Sequence, residues 1–519
     1  MLMNPIMPLF QPLRACALVP GSRINPFRHL SRSLLPSTFG PPRQSHHPFT
    51  STSARPLRTT ELQPSHFPSL KCQPSRLWSD IHSTATHGTG RRYGDQPEQT
   101  GLSRLTLTDS DAQARSWFVE TTKSLGCTVT VDGIGNIFAV RPGLNNDVAP
   151  TFVGSHLDSQ PLGGRFDGVL GVCAGIEMLR VLNDNWIETE GPVGVVNWTN
   201  EEGARFPVSM MGSGVWGGAR GLQATYDLKE VGGGSGADGS RRTVRAELER
   251  IGYLRSVPAR VEDGGVRMAG HFELHIEQGP RLLAMGKRVA AVTGVQAYKW
   301  FEVHVYGRAC HSGTTPMHLR ADPLAYAAET ISQTNSMARM SGVLLSVGII
   351  KAEPGSVNTV PDHVMFTMDI RAQTDEELRE FEETLMTQTT GALTERNAAA
   401  KKDGAADEVS LEIKETFHSP AMKFDEVAVG LVEEAARDVL QTGDGEREVP
   451  RMISGAGHDS VNTAPHCPTA MVFVPCKDGV SHEPREWCEK ADCAVGTDVV
   501  IQSVLRFDKW RHEQGHFAG

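Results

Sequence analysis

The sequence lacks long hydrophobic runs and has few cysteines for its length. No window of its 519 residues approaches the roughly 18 uninterrupted apolar residues of a membrane-spanning helix, since even Val169 to Leu182 is broken by Glu177 and Arg180. The nine cysteines are an odd number and contain no CxxC pair; Cys488 and Cys493 are only a weak zinc signal. These absences argue against a membrane span and a disulfide framework, and they favour a reducing compartment.

Acidic residues are absent from the first 60 positions, although the chain as a whole is acidic. This segment carries seven arginines, whereas the whole chain has a net charge of −10, so the rest carries about −17. A body this acidic lacks the basic surface that nucleic acids or anionic membranes attract, and we expect neither as a partner. Its 39% of hydrophobic residues is sufficient for a large core.

Residues 1–75 are expected to form a leader outside the folded body. The segment is rich in Arg and Ser and poor in acids, and its apolar residues that would share one helical face are Phe27, Leu30 and Leu34. These properties are typical of an organelle transit peptide, so we expect a mitochondrial location. The alternative is a disordered tail on a cytoplasmic protein, which the ten prolines among the first 56 residues favour.

From about residue 80 the sequence alternates between strand-like and helix-like patterns. Helical periodicity is found at 109–125 and 168–182, and short runs predict strands at 128–131, 137–140, 151–154 and 194–198. Strands alternating with helices predict an α/β layer with a largely parallel sheet. The glycine-rich stretch 232–240 follows no strand, and we expect a surface insertion rather than a phosphate loop.

A second domain is expected at 295–417, inserted between two parts of the larger domain at 80–294 and 418–515. Its pattern is a strand at 299–306, a helix at 322–337, strands at 342–350 and 363–371, a helix opened by a capping box at 374–377, and a strand at 409–416. The order βαββαβ is that of the ferredoxin-like split βαβ sandwich. The predicted fold class is therefore α/β with an inserted ferredoxin-like domain.

Histidines and carboxylates follow the predicted strands, where α/β folds place their sites. The segments that carry them are GSHLDS at 154–159, GGRFDG at 163–168, NEEG at 200–203, LHIEQG at 274–279 and SHEP at 481–484. Asp158 is placed to hydrogen-bond the second ring nitrogen of His156 and so fix its tautomer. Adjacent carboxylates at Glu201 and Glu202 must point in different directions, which suits one metal ligand and one base. Taken singly, each residue has an ordinary structural alternative, such as a helix N-cap for Asp167.

Taken together, nine motifs in sequence resemble those of the N-carbamoyl-amino-acid amidohydrolases. This group comprises β-ureidopropionase of the yeast type, N-carbamoyl-L-amino-acid hydrolase and allantoate amidohydrolase, and it belongs with aminoacylases and glutamate-type carboxypeptidases to the dinuclear metallohydrolases. The resemblance covers about residues 85–512. Its motifs are GSHLDS, GGRFDGVLGV, NEEGARF, LHIEQGP, CHSGTTPM, SVNTVP, MDIR, SGAGHDS and SHEP.

The resemblance implies a dinuclear catalytic domain with two divalent metal ions per subunit, zinc or manganese in the first place and cobalt or nickel as alternatives. The implied ligands are Asp167 bridging both ions, Glu202 and His482 on one ion, and His156 and His275 on the other. Glu201 would take a proton from the metal-bound water and return it to the leaving nitrogen.

Substrate contacts are implied in the same way. In the peptidase and aminoacylase branches a carboxylate usually occupies the position of His275, so histidine there indicates the carbamoyl branch. The implied substrate-binding residues are Gln278 at the ureido group, Asn358, Arg371, Gly457 and His458 at the amino-acid end, and His311 at the oxyanion. Arg371 has the alternative of an ordinary surface cation. The inserted domain would be a lid and would pair two subunits into a homodimer, with His311 reaching into the partner's site.

The implied reaction is hydrolysis of N-carbamoyl-β-alanine or N-carbamoyl-L-amino acids to the amino acid, CO₂ and NH₃. Allantoate or ureidoglycolate amidohydrolysis on the same site is the alternative. A non-catalytic relative would be expected to have lost Glu201 or an implied ligand, and the sequence retains all of them.

Overall fold

The computed structural model describes residues 55–516, apart from residue 64 and the stretches 233–235, 237–238 and 441–448. Residues 1–54 of the expected leader therefore lie outside the described residues, and so does most of the glycine-rich stretch 232–240. Within the described ranges, no helix is both long and apolar enough to cross a membrane.

The first part of the chain, to residue 295, contains ten strands and seven α-helices within the described ranges. The strands are β1 (Leu57–Arg58), β2 (Thr89–Arg92), β3 (Thr100–Leu102), β4 (Thr128–Val131), β5 (Ile137–Arg141), β6 (Thr151–His156), β7 (Ile187–Glu188), β8 (Val193–Trp198), β9 (Gly270–Ile276) and β10 (Ala290–Val295). The helices are α1 (Pro74–Thr84), α2 (Asp109–Ser124), α3 (Val169–Asp184), α4 (Met211–Trp216), α5 (Leu222–Tyr226), α6 (Val244–Arg250) and α7 (Arg281–Ala284).

The remainder of the chain follows in two parts. Residues 297–419 form β11 (Ala297–Tyr306), β12 (Cys310–His311), α8 (Pro323–Ser341), β13 (Leu344–Ser346), β14 (Ile350–Glu353), β15 (Thr359–Val360), β16 (His363–Ala372), α9 (Asp375–Lys402) and β17 (Ser410–Ser419). Residues 422–513 contain β18 (Met422–Lys423), α10 (Glu426–Leu440), β19 (Arg451–Ser454), α11 (Ser460–Thr463), β20 (Thr469–Val474) and α12 (Lys490–Glu513).

The large sheet is mixed rather than largely parallel. Among the described residues it has nine strands, and its central strands β20, β9, β6 and β8 are parallel neighbours. Beyond β8 the sheet continues with β5, which is antiparallel to β8, and then with β4. β4 and β5 are antiparallel to each other, because the short turn that joins them reverses the direction of the chain. At the other side β10 runs antiparallel to β20 and also pairs with β18 and β19. The carboxyl ends of β6, β8 and β9 therefore meet at one edge, which is where the predicted ligands lie.

Helix α3 is buried nearly all round, whereas its periodicity predicts one apolar face. Its inner side packs on β6, β8 and β9, and α1 and α12 cover its outer side. The fully buried Glu177 on this helix is held by Arg76, with 2.7 Å between Glu177 Oε2 and Arg76 Nε. The helix thus forms the centre of the main core.

Residues 57–75 belong to the folded body, so the expected leader boundary at residue 75 is wrong. β1 pairs with β7, and Leu62, Phe67 and Leu70 are buried in the main core. These apolar side chains are carried by turns and short 3-10 helices and have no regular spacing. The periodicity that identifies helices and strands therefore gives no signal for them.

The second sheet lies entirely within residues 297–419. Its order is β17, β11, β16 and then β13 and β14, and all its neighbours are antiparallel. The strand predicted at 342–350 is two short strands, because the chain leaves the ladder between them and Thr367 hydrogen-bonds Ile349 there. With β13 and β14 counted as one interrupted strand, this is the order of a βαββαβ sandwich. Its own apolar core lies between the sheet and helices α8 and α9.

Candidate metal centre and cleft

Three neighbouring parallel strands deliver the predicted ligands to one place. His156 ends β6, Glu201 and Glu202 follow β8, and His275 is the next-to-last residue of β9. Asp167 comes just before α3, and His482 lies in the loop between β20 and α12. The structure thus brings together residues that are more than 300 positions apart in the sequence.

Asp167 lies between two groups of potential metal ligands. Its Oδ1 is 3.1 Å from Nε2 of His275 and 3.5 Å from Nε2 of His156. Its Oδ2 is 3.3 Å from Nε2 of His482, and that nitrogen is 3.4 Å from Oε2 of Glu202. Within each group the ligand atoms lie within 4.8 Å of one another. Each group could therefore hold a divalent cation, with Asp167 common to both.

The hydrogen bonds of the two buried histidines fit a metal site. Nδ1 of His156 is 2.9 Å from the carbonyl oxygen of Asp158, and Nδ1 of His275 is 2.8 Å from that of Ile276. Because a carbonyl only accepts, each Nδ1 carries a hydrogen, and in the neutral ring each Nε2 then presents a lone pair towards Asp167. Nε2 of His275 is buried and has no hydrogen-bond partner among the described residues. A cation at this place would supply the missing partner.

A third group, Glu273, His275 and His458, is less suited to a cation. Both oxygens of Glu273 already accept hydrogen bonds, from Ser155 at 2.8 Å and Ser460 at 2.7 Å. His458 bonds to Ser454 through Nε2 and packs edge-on against the ring of His275, with 4.5 Å between ring centroids. These side chains support His275 from behind.

Asp158 acts differently from the expectation that its carboxylate holds the His156 ring. The carboxylate oxygen is 3.9 Å from Nδ1 of His156, too far for a hydrogen bond, because the backbone carbonyl of Asp158 occupies that position. The carboxylate instead accepts the backbone N–H groups of Glu201 and Glu202, at 3.3 and 3.4 Å. Asp158 therefore positions the two glutamates.

Glu486 holds the backbone of Asp167, and sequence reasoning missed it. Its Oε1 accepts the N–H groups of Phe166 and Asp167, both at 3.0 Å, and its Oε2 accepts the Ser481 hydroxyl at 2.7 Å. It is buried and joins the Asp167 turn to the loop that carries His482. Its position four residues after His482 was the only signal in the sequence.

Gly168 is required at this turn for two reasons. Its φ of +68° lies in the left-handed region, and a Cβ there would come within 2.4 Å of the His156 ring. Any larger residue would displace either the Asp167 turn or the His156 ring.

Several carboxylates are buried close together in the site, and the pKa values of its side chains are shifted. Burial raises the pKa of Glu201 well above its ordinary value, although nearby His156 acts in the opposite direction. Burial followed by Asp167 raises the pKa of Glu202 to about 7. Burial tends to lower the pKa of His482, but its hydrogen bond to Asp167 and the charge of Glu202 raise it to about 9. The excess of buried negative charge is what bound cations would neutralise.

The ligand groups open into a cleft of about 200 Å³ between the large sheet and the start of β11. Besides four of the predicted ligands, the predicted catalytic and substrate-binding residues that line it are Glu201, Gln278, Arg371, Gly457 and His458. Gln278 donates to Oδ2 of Asp167 at 2.7 Å, so it also holds the shared carboxylate.

Arg371 reaches the cleft and is not an ordinary surface cation. It is paired with Asp369, with 2.7 Å between Nη2 and Oδ2, and its Nη1 donates to the carbonyl of Gly455 at 2.8 Å. The guanidinium also lies 4.9 Å from the ring centroid of Tyr298.

His311 and Asn358 do not line the cleft of their own chain. They lie together on the β12–β15 ribbon, where the Ser312 N–H donates to the Asn358 carbonyl at 3.0 Å. Both residues are exposed.

Buried histidines and carboxylates at the carboxyl ends of the parallel strands of a mixed α/β sheet form groups that could hold metal ions, an arrangement that metal-dependent hydrolases use. The sequence profile of peptidase family M20/M25/M40 matches residues 152–506. The chain belongs to this family.

Three individual proteins show which activities occur among the relatives of this chain. The N-carbamoyl-L-amino-acid amidohydrolase of Rhizobium meliloti is 37% identical over 432 residues, which are 83% of this chain and 95% of that protein. The crystal structure of an amidase of the hydantoinase/carbamoylase family from Burkholderia multivorans matches with a TM-score of 0.72 and 37% identity, covering 85% of this chain and 99% of that one. The ureidoglycolate hydrolase of Oryza sativa subsp. japonica is 29% identical over 428 residues, 80% of this chain and 82% of that protein.

Proposed function

We propose that the protein hydrolyses the carbamoyl C–N bond of N-carbamoyl amino acids. One water is consumed, and the amino acid, CO₂ and NH₃ are released. The observation that carries the proposal is the shared position of Asp167 between two ligand groups, in a chain that resembles N-carbamoyl-L-amino-acid amidohydrolases over most of its length.

The site would hold two divalent cations, zinc or manganese, with Asp167 as the shared ligand. When bound, they would polarise the ureido carbonyl and lower the pKa of a water molecule. Glu202 belongs to a candidate ligand group with Asp167 and His482, whereas Glu201 belongs to no such group among the described residues and lies 3.6 Å from Nε2 of His156. Glu201 therefore takes the proton from that water and passes it to the leaving nitrogen.

The substrate carboxylate is held by Arg371. Two N–H groups of this guanidinium remain after its bonds to Asp369 and Gly455, enough for a paired contact. Gln278, at the rim of the ligand groups, contacts the ureido group.

The sandwich formed by residues 297–419 acts as a lid and pairs two copies into a homodimer. The exposed placement of His311 and Asn358, outside the cleft of their own chain, supports their action in the site of a second copy. Mixing inactive His311→Ala protein with inactive Glu201→Gln protein tests this, because a shared site gives each heterodimer one intact site. Absence of recovered activity in demonstrated heterodimers would exclude it.

Residues 1–54 form the mitochondrial targeting segment. The support is their arginine content and lack of acids, together with the entry of the chain into the fold at Leu57. A fluorescent reporter carrying residues 1–54 should collect in mitochondria, and a diffuse reporter would refute the assignment.

The proposed reaction is tested by ammonia release from N-carbamoyl-β-alanine, N-carbamoyl-L-amino acids, allantoate and ureidoglycolate. Chelated protein should be inactive and should regain activity with Zn²⁺ or Mn²⁺, while Asp167→Asn should not. Turnover of allantoate or ureidoglycolate alone would favour the other amidohydrolase activity. No ammonia from any of them would refute the proposal.

A further inference from the structure

A second cavity, the side chamber, lies directly beside the cleft. It has a volume of about 430 Å³ and shares four lining residues with the cleft: Gln278, Arg371, Ala456 and His482. Since the same residues border both spaces, a group held at Arg371 lies at the boundary between the cleft and the side chamber.

The residues that line the side chamber alone are largely apolar. Among them are Met452 and Phe473, which are buried in the main core, the half-buried Ile453, and Leu344 from β13 of the second sheet. The carboxylate of Glu277 also lines the chamber, but it already accepts the backbone N–H groups of the residues at 281 and 282, at 2.9 and 2.7 Å. The chamber therefore offers mainly apolar contacts to a molecule that enters it.

Leu344 lies beside the arginine that takes the substrate carboxylate. Leu344 and Arg371 are direct partners in the antiparallel ladder of β13 and β16, so their side chains lie next to each other on one face of the sheet. The following residue, Leu345, packs into the apolar core on the opposite face. Leu344 is 60% exposed, so its surface is available to a bound molecule.

The cleft alone is small for a substrate that carries a large side chain. Its volume of about 200 Å³ is below the roughly 300–1,000 Å³ of ordinary small-molecule sites, and it would also have to hold two cations and the ureido group. In an α-amino acid the side chain branches from the carbon atom that carries the carboxylate. With that carboxylate on Arg371, the side chain begins at the boundary with the larger side chamber.

We propose that the side chamber receives the substrate side chain and that Leu344 contacts it, so that N-carbamoyl amino acids with large apolar side chains are the preferred substrates. This inference rests on the proposed function, in which the metal site takes the carbamoyl group and Arg371 takes the carboxylate. N-carbamoyl-β-alanine has no side chain and would leave the chamber empty. It is therefore a poorer substrate than N-carbamoyl-L-leucine.

The test compares N-carbamoyl-L-leucine with N-carbamoylglycine, which has the same ureido and carboxylate groups but no side chain. For the wild type we expect kcat/KM to be about 100-fold higher for the leucine derivative, because each buried CH₂ group favours binding about fourfold. Leu344→Ala should lower kcat/KM for the leucine derivative about 10-fold and leave the value for the glycine derivative unchanged, and Leu344→Met should keep most of the preference. Leu324→Ala is the matched control, since Leu324 is an exposed leucine of α8 that lines neither cavity, and it should keep the wild-type ratio.

A wild-type ratio near one, or an unchanged ratio in Leu344→Ala, would overturn the inference. So would an equal fall for both substrates in Leu344→Ala, because Leu344 would then act through Arg371 and not through contact with the side chain. The proposed function is tested separately by hydrolysis of N-carbamoylglycine, which does not depend on the chamber. If neither compound is hydrolysed, the proposed function is refuted, and calorimetric binding of both compounds to the metal-loaded protein decides the inference by the same ratios.

Discussion

Removing the residues before Ser79 is expected to unfold the protein. Such a chain would lose four large apolar side chains that are buried in the main core: Leu62, Phe67, Leu70 and Leu77. Full burial of one such side chain is worth about 1.5–3 kcal/mol, so the four contribute about 6–12 kcal/mol. That is comparable with the whole stability of an ordinary domain, about 5–15 kcal/mol.

Polar contacts increase the expected loss. Without Arg76, the fully buried Glu177 keeps only a 3.4 Å contact with Arg180. Gln502 loses the Phe67 carbonyl, which it contacts at 3.1 Å, and Asp498 loses the Cys72 N–H at 2.7 Å. Each buried polar group left unpaired costs about 1–3 kcal/mol.

Two shortened chains test whether the residues before Ser79 are needed for folding. A chain starting at Arg55 should be soluble and should melt at the temperature of the full-length protein, whereas a chain starting at Ser79 should be insoluble or lack a cooperative transition. Leu62→Ala in the Arg55 chain should lower the free energy of unfolding in urea by about 2–5 kcal/mol. If the Ser79 chain melts cooperatively within a few degrees of the Arg55 chain, the reasoning is wrong.

Gly168→Ala should abolish metal binding, measured by elemental analysis, because the new Cβ would lie 2.4 Å from the His156 ring. Gly126→Ala is the control and should retain metal binding, since Gly126 also has a positive φ, of +87°, but no atom lies within 4 Å of its Cβ position. Glu486→Ala should weaken metal affinity about 10- to 100-fold in chelator competition, since it frees the Asp167 turn, while Glu489→Ala should not. Burial lowers the pKa of His271 to about 3, so its contribution to stability is present above its unfolded pKa of about 6.5 and is lost as the pH falls below it. Between pH 7 and pH 5 the free energy of unfolding of His271→Gln should therefore fall by about 2 kcal/mol less than that of the wild type. Urea titrations at the two pH values measure this difference, and an equal fall in both proteins would contradict the prediction.

Local signals predicted much of the fold. Asp322 caps α8 and Thr374 forms a capping box with Glu377, as their spacing indicates. Failures arose where tertiary contacts decide the structure. The apolar residues at 57–72 have no periodicity, and the mixed sheet depends on which strands pair across long stretches of chain.

For the candidate site, too, local signals were predictive and contacts between distant parts of the chain were not. The motifs predicted side chains that the structure brings together around Asp167, because each motif keeps its spacing within one loop. They could not reveal that Asp158 uses its carbonyl for His156 and its carboxylate for the glutamates, since both contacts depend on backbone direction. Glu486 was missed because its partners lie about 320 positions away in the sequence.

In the proposed mechanism the clustered histidines and carboxylates hold metal while Glu201 moves the proton. It is tested most directly by measuring metal content and ammonia release on the same sample of Glu201→Gln, with an N-carbamoyl-L-amino acid that the wild type hydrolyses. We expect the wild-type content of two ions per subunit and a fall in kcat of about 10²- to 10⁴-fold, the usual contribution of general acid–base catalysis. Wild-type turnover by Glu201→Gln with its metal in place would contradict it.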